Sequence, residues 1–437
     1  MAVTATPSTG TRILRRSPAP PSTAEADICV VGAGIAGVSA AVEAARLGRR
    51  VVLADAQPSL GGQAVNSIIG TFAGLYSNGE NGFQLTRGIA DDILRDLGAK
   101  GGLHYRHGPP HTTVLYDEVM LSRWVEETVR SSGIRVLLGA VMRDVSVQAG
   151  RIGRVEFATR YGDVRVEAQG FVDASGDAAL AWMAGFPCRE PEEPVYGSQM
   201  VVLENVDEAA MPSRAQLAER QGEKAPQYGM VRRDGFAFLF AGRGIALVNM
   251  THVETPLEPF AASAASLEGK AQADKAVAFL RAEYPAAFGR ARVRAYGQPG
   301  IRQTRWIKGL HHLTVAELRA GTRFPDAVAR TAWAIELHTH AEGYIWEPFP
   351  PGHLHYVPFR SMVPEGAENL VAAGRCIDAD NAALSSVRVM GPCIAMGYAA
   401  AHALDLAGSG SVRQIDIAAL AARVAPNVSE EGPRARG

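Results

Sequence analysis

Lysine is nearly missing from this 437-residue chain: Lys and Arg together number 44, and only five of them are Lys. Against 45 Asp and Glu the net charge is −1, so no overall field would gather nucleic acid or an acidic membrane, and neither is expected as a partner. A ligand must instead be recognised locally, as a small molecule in a pocket. The Arg excess, with abundant Ala and Gly, reads as a coding bias rather than as chemistry. Cysteine is scarce as well. Cys29, Cys188, Cys376 and Cys393 form no CxxC pair, the spacing that a disulfide framework or thiolate metal site would favour. A reduced cytoplasmic protein is the simplest reading. No apolar run reaches the roughly 18 residues that would span a bilayer. Arg15-Arg16 precede Pro, Ser and Thr where a targeting signal needs an apolar stretch, so residues 1–25 are expected to form a disordered arm.

What is present starts at Ala26. ADICVVGAGIAGVSAAVEAARLGRRVVLADAQ, Ala26 to Gln57, reads as strand, tight turn, amphipathic helix and strand. Gly32, Gly34 and Gly37 give GxGxxG: a tight turn, close backbone approach to a pyrophosphate, and close helix-to-strand packing. The helix N-terminal amides from Ile35 and Ala36 onward then face phosphate. Asp55 closes the second strand, 18 residues beyond Gly37, where a carboxylate can accept both ribose hydroxyls. A lone GxGxxG is often only a glycine-rich turn; the complete strand-helix-strand context argues against that here. It does not separate FAD from NAD. Leu60-Gly61-Gly62-Gln63, just after the acidic strand end, favours FAD.

With these motifs the chain resembles the FAD-dependent oxidoreductases of the glutathione-reductase-like superfamily, in particular a widespread bacterial group. The likeness runs from Ala26 to Ala407. It includes GTFAGLYSNGENG (Gly70 to Gly82), a helix near Asp117 to Ser131, and a strand at Arg135 to Leu138 that would pass the adenine, with Val141 beside it. FVDASGDAALAWMAG (Phe171 to Gly185) resembles the second flavin fingerprint, with Ala174 and Gly176 letting the backbone cross the cofactor. GIRQTRWIKG (Gly300 to Gly309), FPDAVARTAWAIELH (Phe324 to His338) and YVPFRSMVPEGAENLVAAGR (Tyr356 to Arg375) continue it. Gly374 and Arg375 then open the final stretch. There the resemblance implies an acidic residue near the ribityl hydroxyls, Asp378 or its competitor Asp380. Small residues from Ala395 to Ala401 would let the last helix press on the first. Its Gly391-Pro392 start would aim partial positive charge at the flavin's N1 and C2 carbonyl edge; a tight crossing with no electronic purpose is the alternative.

The resemblance implies an α/β fold: a discontinuous Rossmann-like FAD-binding domain (26–186 and 356–410) with an inserted mixed-sheet α+β substrate domain (187–355) and a C-terminal tail (411–437). Within the insert, Met200 to Leu203 and Ile245 to Met250 read as strands, and Ala261 to Arg281 as a helix. No second GxGxxG and no CxxxxC after Gly62 appear, so no NAD(P)H domain of the disulfide-reductase kind is expected. The expected activity is two-electron oxidation of a small organic metabolite by FAD, with electrons passing to oxygen or another acceptor. A flavin monooxygenase is the alternative, although Trp333-Ala334-Ile335 supplies only one tryptophan of the halogenase pair; a non-catalytic flavin-binding redox module is the second. Arg302 and Arg305 could bind an anionic group or form structural ion pairs. His338, beside Trp333, could be a general base or a structural histidine. Arg388 could neutralise reduced flavin or a substrate carboxylate. His338 and His340 with His353 and His355 lack an acidic or cysteine partner, so no metal is expected.

Overall fold

The computed structural model describes residues 10–11, 19–80, 82–108 and 111–429. A seven-stranded sheet organises the chain, in the order Arg135–Leu138, Val51–Asp55, Ser22–Val31, Gly162–Asp173, Arg151–Thr159, Val141–Gln148. The first four run parallel, and the last two continue as an antiparallel meander. Gly162–Asp173 divides its free edge: its first half pairs with Arg151–Thr159, and its last three residues pair in parallel with Leu370–Ala372. The carboxyl ends of Ser22–Val31, Val51–Asp55, Gly162–Asp173 and Leu370–Ala372 therefore open on one side, where open α/β sheets bind their ligands.

Helix Ile35–Arg46 crosses the long helix Met390–Ala407 over this sheet. A Cβ at Gly397 would stand 2.1 Å from the Ala36 carbonyl oxygen, so only glycine allows this approach. The Ser39 hydroxyl donates to the Ile394 carbonyl at 2.7 Å, and His402 Nε2 meets Glu43 at 3.1 Å. The run of small residues is thus a packing device.

A second, four-stranded antiparallel sheet, Phe236–Phe240, Ile245–Asn249, Ser198–Glu204, Arg292–Gly300, covers the open side. Helix Pro259–Glu283 backs it, burying Ala273, Ala276, Val277 and Leu280. The expected strand Met200 to Leu203 and helix Ala261 to Arg281 lie inside these elements, and the expected strand Ile245 to Met250 ends one residue earlier, at Asn249.

The ends of the chain depart from expectation. Ser22 to Glu25, placed in the disordered arm, extend the first strand and pair with Val164 to Glu167. Backbone pairing holds them, which their polar composition does not advertise. Residues 1–9 and 12–18 of the expected arm lie outside the described residues. The expected C-terminal tail contains helix Ile417–Val428, capped by the Asp416 carboxylate on the Ala418 and Ala419 amides and burying Leu420 and Val424. An i, i+4 apolar pair on one short helix is a weak sequence signal. Residues 430–437 lie outside the described residues. Among those described, no helix is long and apolar enough to cross a membrane, and all four cysteines are free.

Buried histidines make the fold acid-sensitive. His355, fully buried, donates from Nε2 to the Ser386 hydroxyl at 2.8 Å, because that hydroxyl itself donates to the Trp333 carbonyl. Burial pushes its pKa down to about 3, and burial with Arg214 pushes that of His111 down to about 4. An unfolded histidine protonates near pH 6.5. Between about 6.5 and these values the unfolded chain binds more protons, so stability falls as pH falls, by at most about 1.4 kcal/mol per pH unit for each group. Denaturant titrations at stepped pH should show this slope, and His355→Gln should flatten it.

Candidate active site

A cavity of about 590 Å³ runs between the two sheets, within the range of about 300 to 1,000 Å³ common for ligand clefts. One wall is backbone. Gly32 turns with φ +102°, and a Cβ there would lie 2.3 Å from the Ala174 carbonyl oxygen. A Cβ on Gly37 would sit 1.8 Å from the Gly32 oxygen. Both glycines serve packing. Gly34 differs: a Cβ there meets no protein atom within 4 Å and enters the cavity. Ile35 and Ala36 line the cavity beside it at the helix start, where the first amides have no intrahelical acceptor.

Around this turn the chain is pinned. The Asp55 carboxylate accepts from the Ala33 amide at 2.5 Å and the Gln57 amide at 2.7 Å, and burial raises its pKa. Gly61, with φ +93°, donates to the Ala33 carbonyl at 2.8 Å, and a Cβ on Gly62 would stand 2.5 Å from Gly34 Cα. Buried Asp173 accepts from Ser175 N, Ser175 Oγ and Ala181 N, fixing the turn that carries Ala174 and Gly176. Asp55, Gly62, Gln63, Ala174, Gly176, Gly374 and Arg375 all line the cavity. Arg375 is tied to Asp177 at 3.0 Å and Thr304 at 3.1 Å. An open Gly34 flanked by helix amides, with a carboxylate at the next strand end, fits a dinucleotide.

Several expected contacts fall elsewhere. Asp378 is fully buried outside the cavity lining, accepting from Arg189 Nε, the Gly309 amide and His312 Nδ1 at 2.8 to 3.0 Å. Its competitor Asp380 caps helix Asn381–Val387. Both carboxylates are consumed by structure, because the turn Gly374–Cys376 leads into extended Ile377 and carries Asp378 to the far side. Val141 is 58% exposed and outside the cavity lining. Gly391 and Pro392 also stand outside it: a Cβ on Gly391 would be 2.3 Å from the Gly74 oxygen, and its amide donates to the Ala73 carbonyl. Val389, Met390 and Cys393 present this helix start to the cavity instead.

The opposite wall carries side chains. Trp333, His111 and Trp346 pack edge to face or tilted, with centroids 4.7 to 5.5 Å apart. Arg106 lies over the Phe238 ring at 4.8 Å and Arg214 over Phe236 at 4.7 Å. Arg302 is committed, donating to the Tyr196 carbonyl at 2.7 Å and Ser198 Oγ at 2.9 Å. Arg388 is not: its Nε is buried without a partner among the described residues, and burial depresses its pKa. Arg305 leaves the site altogether, pairing with Glu190 and lying over the Trp182 ring.

His338, read as either a general base lining the site or a structural histidine, is fully buried behind it. Glu336 stands in the cavity wall and receives His338 Nε2 at 3.1 Å and Trp333 Nε1 at 3.1 Å. Residues 336 and 338 share a strand face, so the histidine reaches the cavity only through the carboxylate. Burial raises the pKa of that carboxylate, but the His338 contact, helped by Arg302 and Arg388, holds it below its ordinary value. Sequence reasoning did not single out Glu336. An acid two residues before a histidine on a strand was the available signal.

The family described as FAD dependent oxidoreductase matches residues 27–424. No curated protein matches the chain. Among solved structures, a geranylgeranyl bacteriochlorophyll reductase-like protein from Thermoplasma acidophilum aligns at 13% identity, covering 87% of this chain and 78% of its own, with TM-score 0.47. A triple mutant of a flavin-dependent brominase aligns at 14%, with coverages of 91% and 83% and TM-score 0.46. The p-nitrophenol 4-monooxygenase of Pseudomonas putida DLL-E4 aligns at 11%, with 93% and 82% and TM-score 0.44.

Proposed function

The chain belongs to the FAD dependent oxidoreductase family, and from that premise we propose that it oxidises a small organic anion with a flat apolar body by two electrons. One observation supports this most: a single cavity joins the open glycine wall to the wall bearing Arg388, Glu336 and Trp333. FAD supplies the acceptor for two electrons, taken as a hydride. Gly34, Ile35 and Ala36 would hold its diphosphate, Asp55 a ribose, and Gly62, Gln63, Ala174, Gly176 and Gly374 the parts nearer the flavin.

The chain's own residues do the rest. Arg388, with unspent donors, orients the anionic group; a charge-assisted hydrogen bond contributes about 1.5 to 3 kcal/mol. Trp333, Trp346 and His111 cover the apolar body and displace water, which strengthens every charge interaction in the site. His111, held neutral by burial and Arg214, adds no competing charge near pH 7.

Benzoate is a suitable probe, with benzyl alcohol as its neutral counterpart. Titrated into FAD-loaded protein, benzoate should shift the flavin spectrum saturably and bind at least about tenfold more tightly than the alcohol. Equal affinities would remove the anionic substrate class. Anaerobic bleaching of the flavin by NADPH at catalytic speed would favour a monooxygenase instead.

A further inference from the structure

Glu336, His338 and His252 form a hydrogen-bonded line from the cavity wall into the core. Glu336 Oε1 is 3.1 Å from His338 Nε2, His338 Nδ1 is 2.9 Å from His252 Nε2, and His252 Nδ1 is 2.8 Å from the Ala341 carbonyl oxygen. The imidazoles of His338 and His252 are 0% and 2% exposed, so water cannot stand in for a missing partner.

Proton positions follow from the chemistry of the two ends. The Ala341 carbonyl can only accept, so His252 Nδ1 donates to it. A neutral His252 then offers a lone pair at Nε2, and His338 Nδ1 must donate into it. That leaves His338 Nε2 facing a carboxylate oxygen. With neutral His338 and ionised Glu336, two acceptors would oppose each other at 3.1 Å. The contact is a hydrogen bond only when one further proton is present, on Nε2 or on Oε1. Sliding both imidazole protons toward Glu336 moves the conflict to the Ala341 carbonyl without removing it.

We propose that Glu336 and His338 share one exchangeable proton, and that through it Glu336 exchanges a proton with the molecule bound in the cavity. His338 and His252 are positioning residues: they fix where that proton can sit. The assignment rests on the cavity being the active site. In an oxidation the substrate's O–H or N–H bond would break and its electron pair would close the new double bond to carbon as that carbon gives up a hydride, for which FAD would be the acceptor. The released proton fills the vacancy between Glu336 and His338, and leaves for solvent through the cavity mouth before the next turnover.

Two influences set how tightly the proton is held. Opposed acceptors in the empty state favour uptake. Positive charge favours release: Arg302 and Arg388 face Glu336, and Arg302 and Arg232 face His338, with Asp234 offsetting Arg232. The remaining faces are aromatic. Tyr344 stacks on His338 at 4.9 Å, Tyr196 on His252 at 5.7 Å, and Trp333 donates to the second Glu336 oxygen.

Nitrogen-15 histidine NMR of the FAD-loaded protein reads the proton directly. The expected result is one strongly deshielded imidazole N–H resonance at low pH that disappears as pH rises. It should be absent at every pH in His338→Gln and in Glu336→Gln, whose amide can donate to His338 Nε2 without an exchangeable proton. FAD content and thermal midpoint confirm that each variant is folded. Benzoate affinity should change about tenfold across the wild-type titration and stay flat in Glu336→Gln. A resonance that survives Glu336→Gln, or no titrating proton between Glu336 and His338 at any pH, overturns the proposal. A titrating proton without benzoate binding would uphold the pair and overturn the anionic-substrate reading alone.

Discussion

Gly34→Val should yield a folded protein that no longer retains FAD. Gly34 has ordinary extended geometry, φ −68° and ψ 177°, and an added Cβ meets no protein atom within 4 Å. The folded chain therefore has little reason to resist it. Loss of a favourable helix N-cap costs less than about 1 kcal/mol, and restricting the unfolded chain returns about as much. The cavity bears the change, because the side chain occupies the space through which the Ile35 and Ala36 amides reach the diphosphate. Losing one or two charge-assisted hydrogen bonds of about 1.5 to 3 kcal/mol each weakens FAD by about tenfold to about ten-thousandfold. Gly37→Ala is the contrast. Its Cβ would lie 1.8 Å from the Gly32 oxygen, so it should lower stability itself by about 1 to 3 kcal/mol or more. Apoprotein melting with FAD titration separates the two; a destabilised Gly34→Val apoprotein, or one that binds FAD as tightly as wild type, would show that this glycine does not face the diphosphate.

That contrast also marks what could be read from the chain. GxGxxG names three glycines, and its spacing distinguishes the turn, the approach and the packing position because each role follows from local backbone geometry. The same holds for Asp55, at a strand end fixed by a strand-helix-strand unit. Legibility ended where a side chain's role depends on a distant partner. Asp378 looked like a ribityl ligand until Arg189, Gly309 and His312, from 66 to 189 residues away, turned out to consume it. For His338 the sequence left a base in the cavity and a structural histidine both open. The fold places Glu336 before it and His252, 86 residues earlier, behind it. At the chain ends the limit was energetic: Ser22 to Glu25 are held by backbone pairing, and Ile417–Val428 by a few apolar contacts, neither of which composition announces.

Arg388→Met should leave the protein at least as stable as wild type while removing most of its affinity for benzoate. The guanidinium is largely buried and its Nε lacks a partner among the described residues, so the folded state bears a desolvation cost that no hydrogen bond offsets. Methionine keeps much of the volume and ends that cost, and the thermal midpoint should hold or rise by the equivalent of about 1 kcal/mol. Benzoate should weaken about tenfold to a hundredfold, the worth of one charge-assisted hydrogen bond. Arg302→Met should behave in the opposite way. Its guanidinium already serves the Tyr196 carbonyl and Ser198 Oγ, so its loss strands buried acceptors and costs about 2 to 3 kcal/mol of stability, with a smaller effect on benzoate. Glu336 keeps one cation in either variant, so neither change leaves its carboxylate alone. Paired melting curves and benzoate titrations on FAD-loaded protein decide between them. If Arg388→Met unfolds early and binds benzoate normally, Arg388 is a structural residue and the anion must be sought at Arg106 and Arg214.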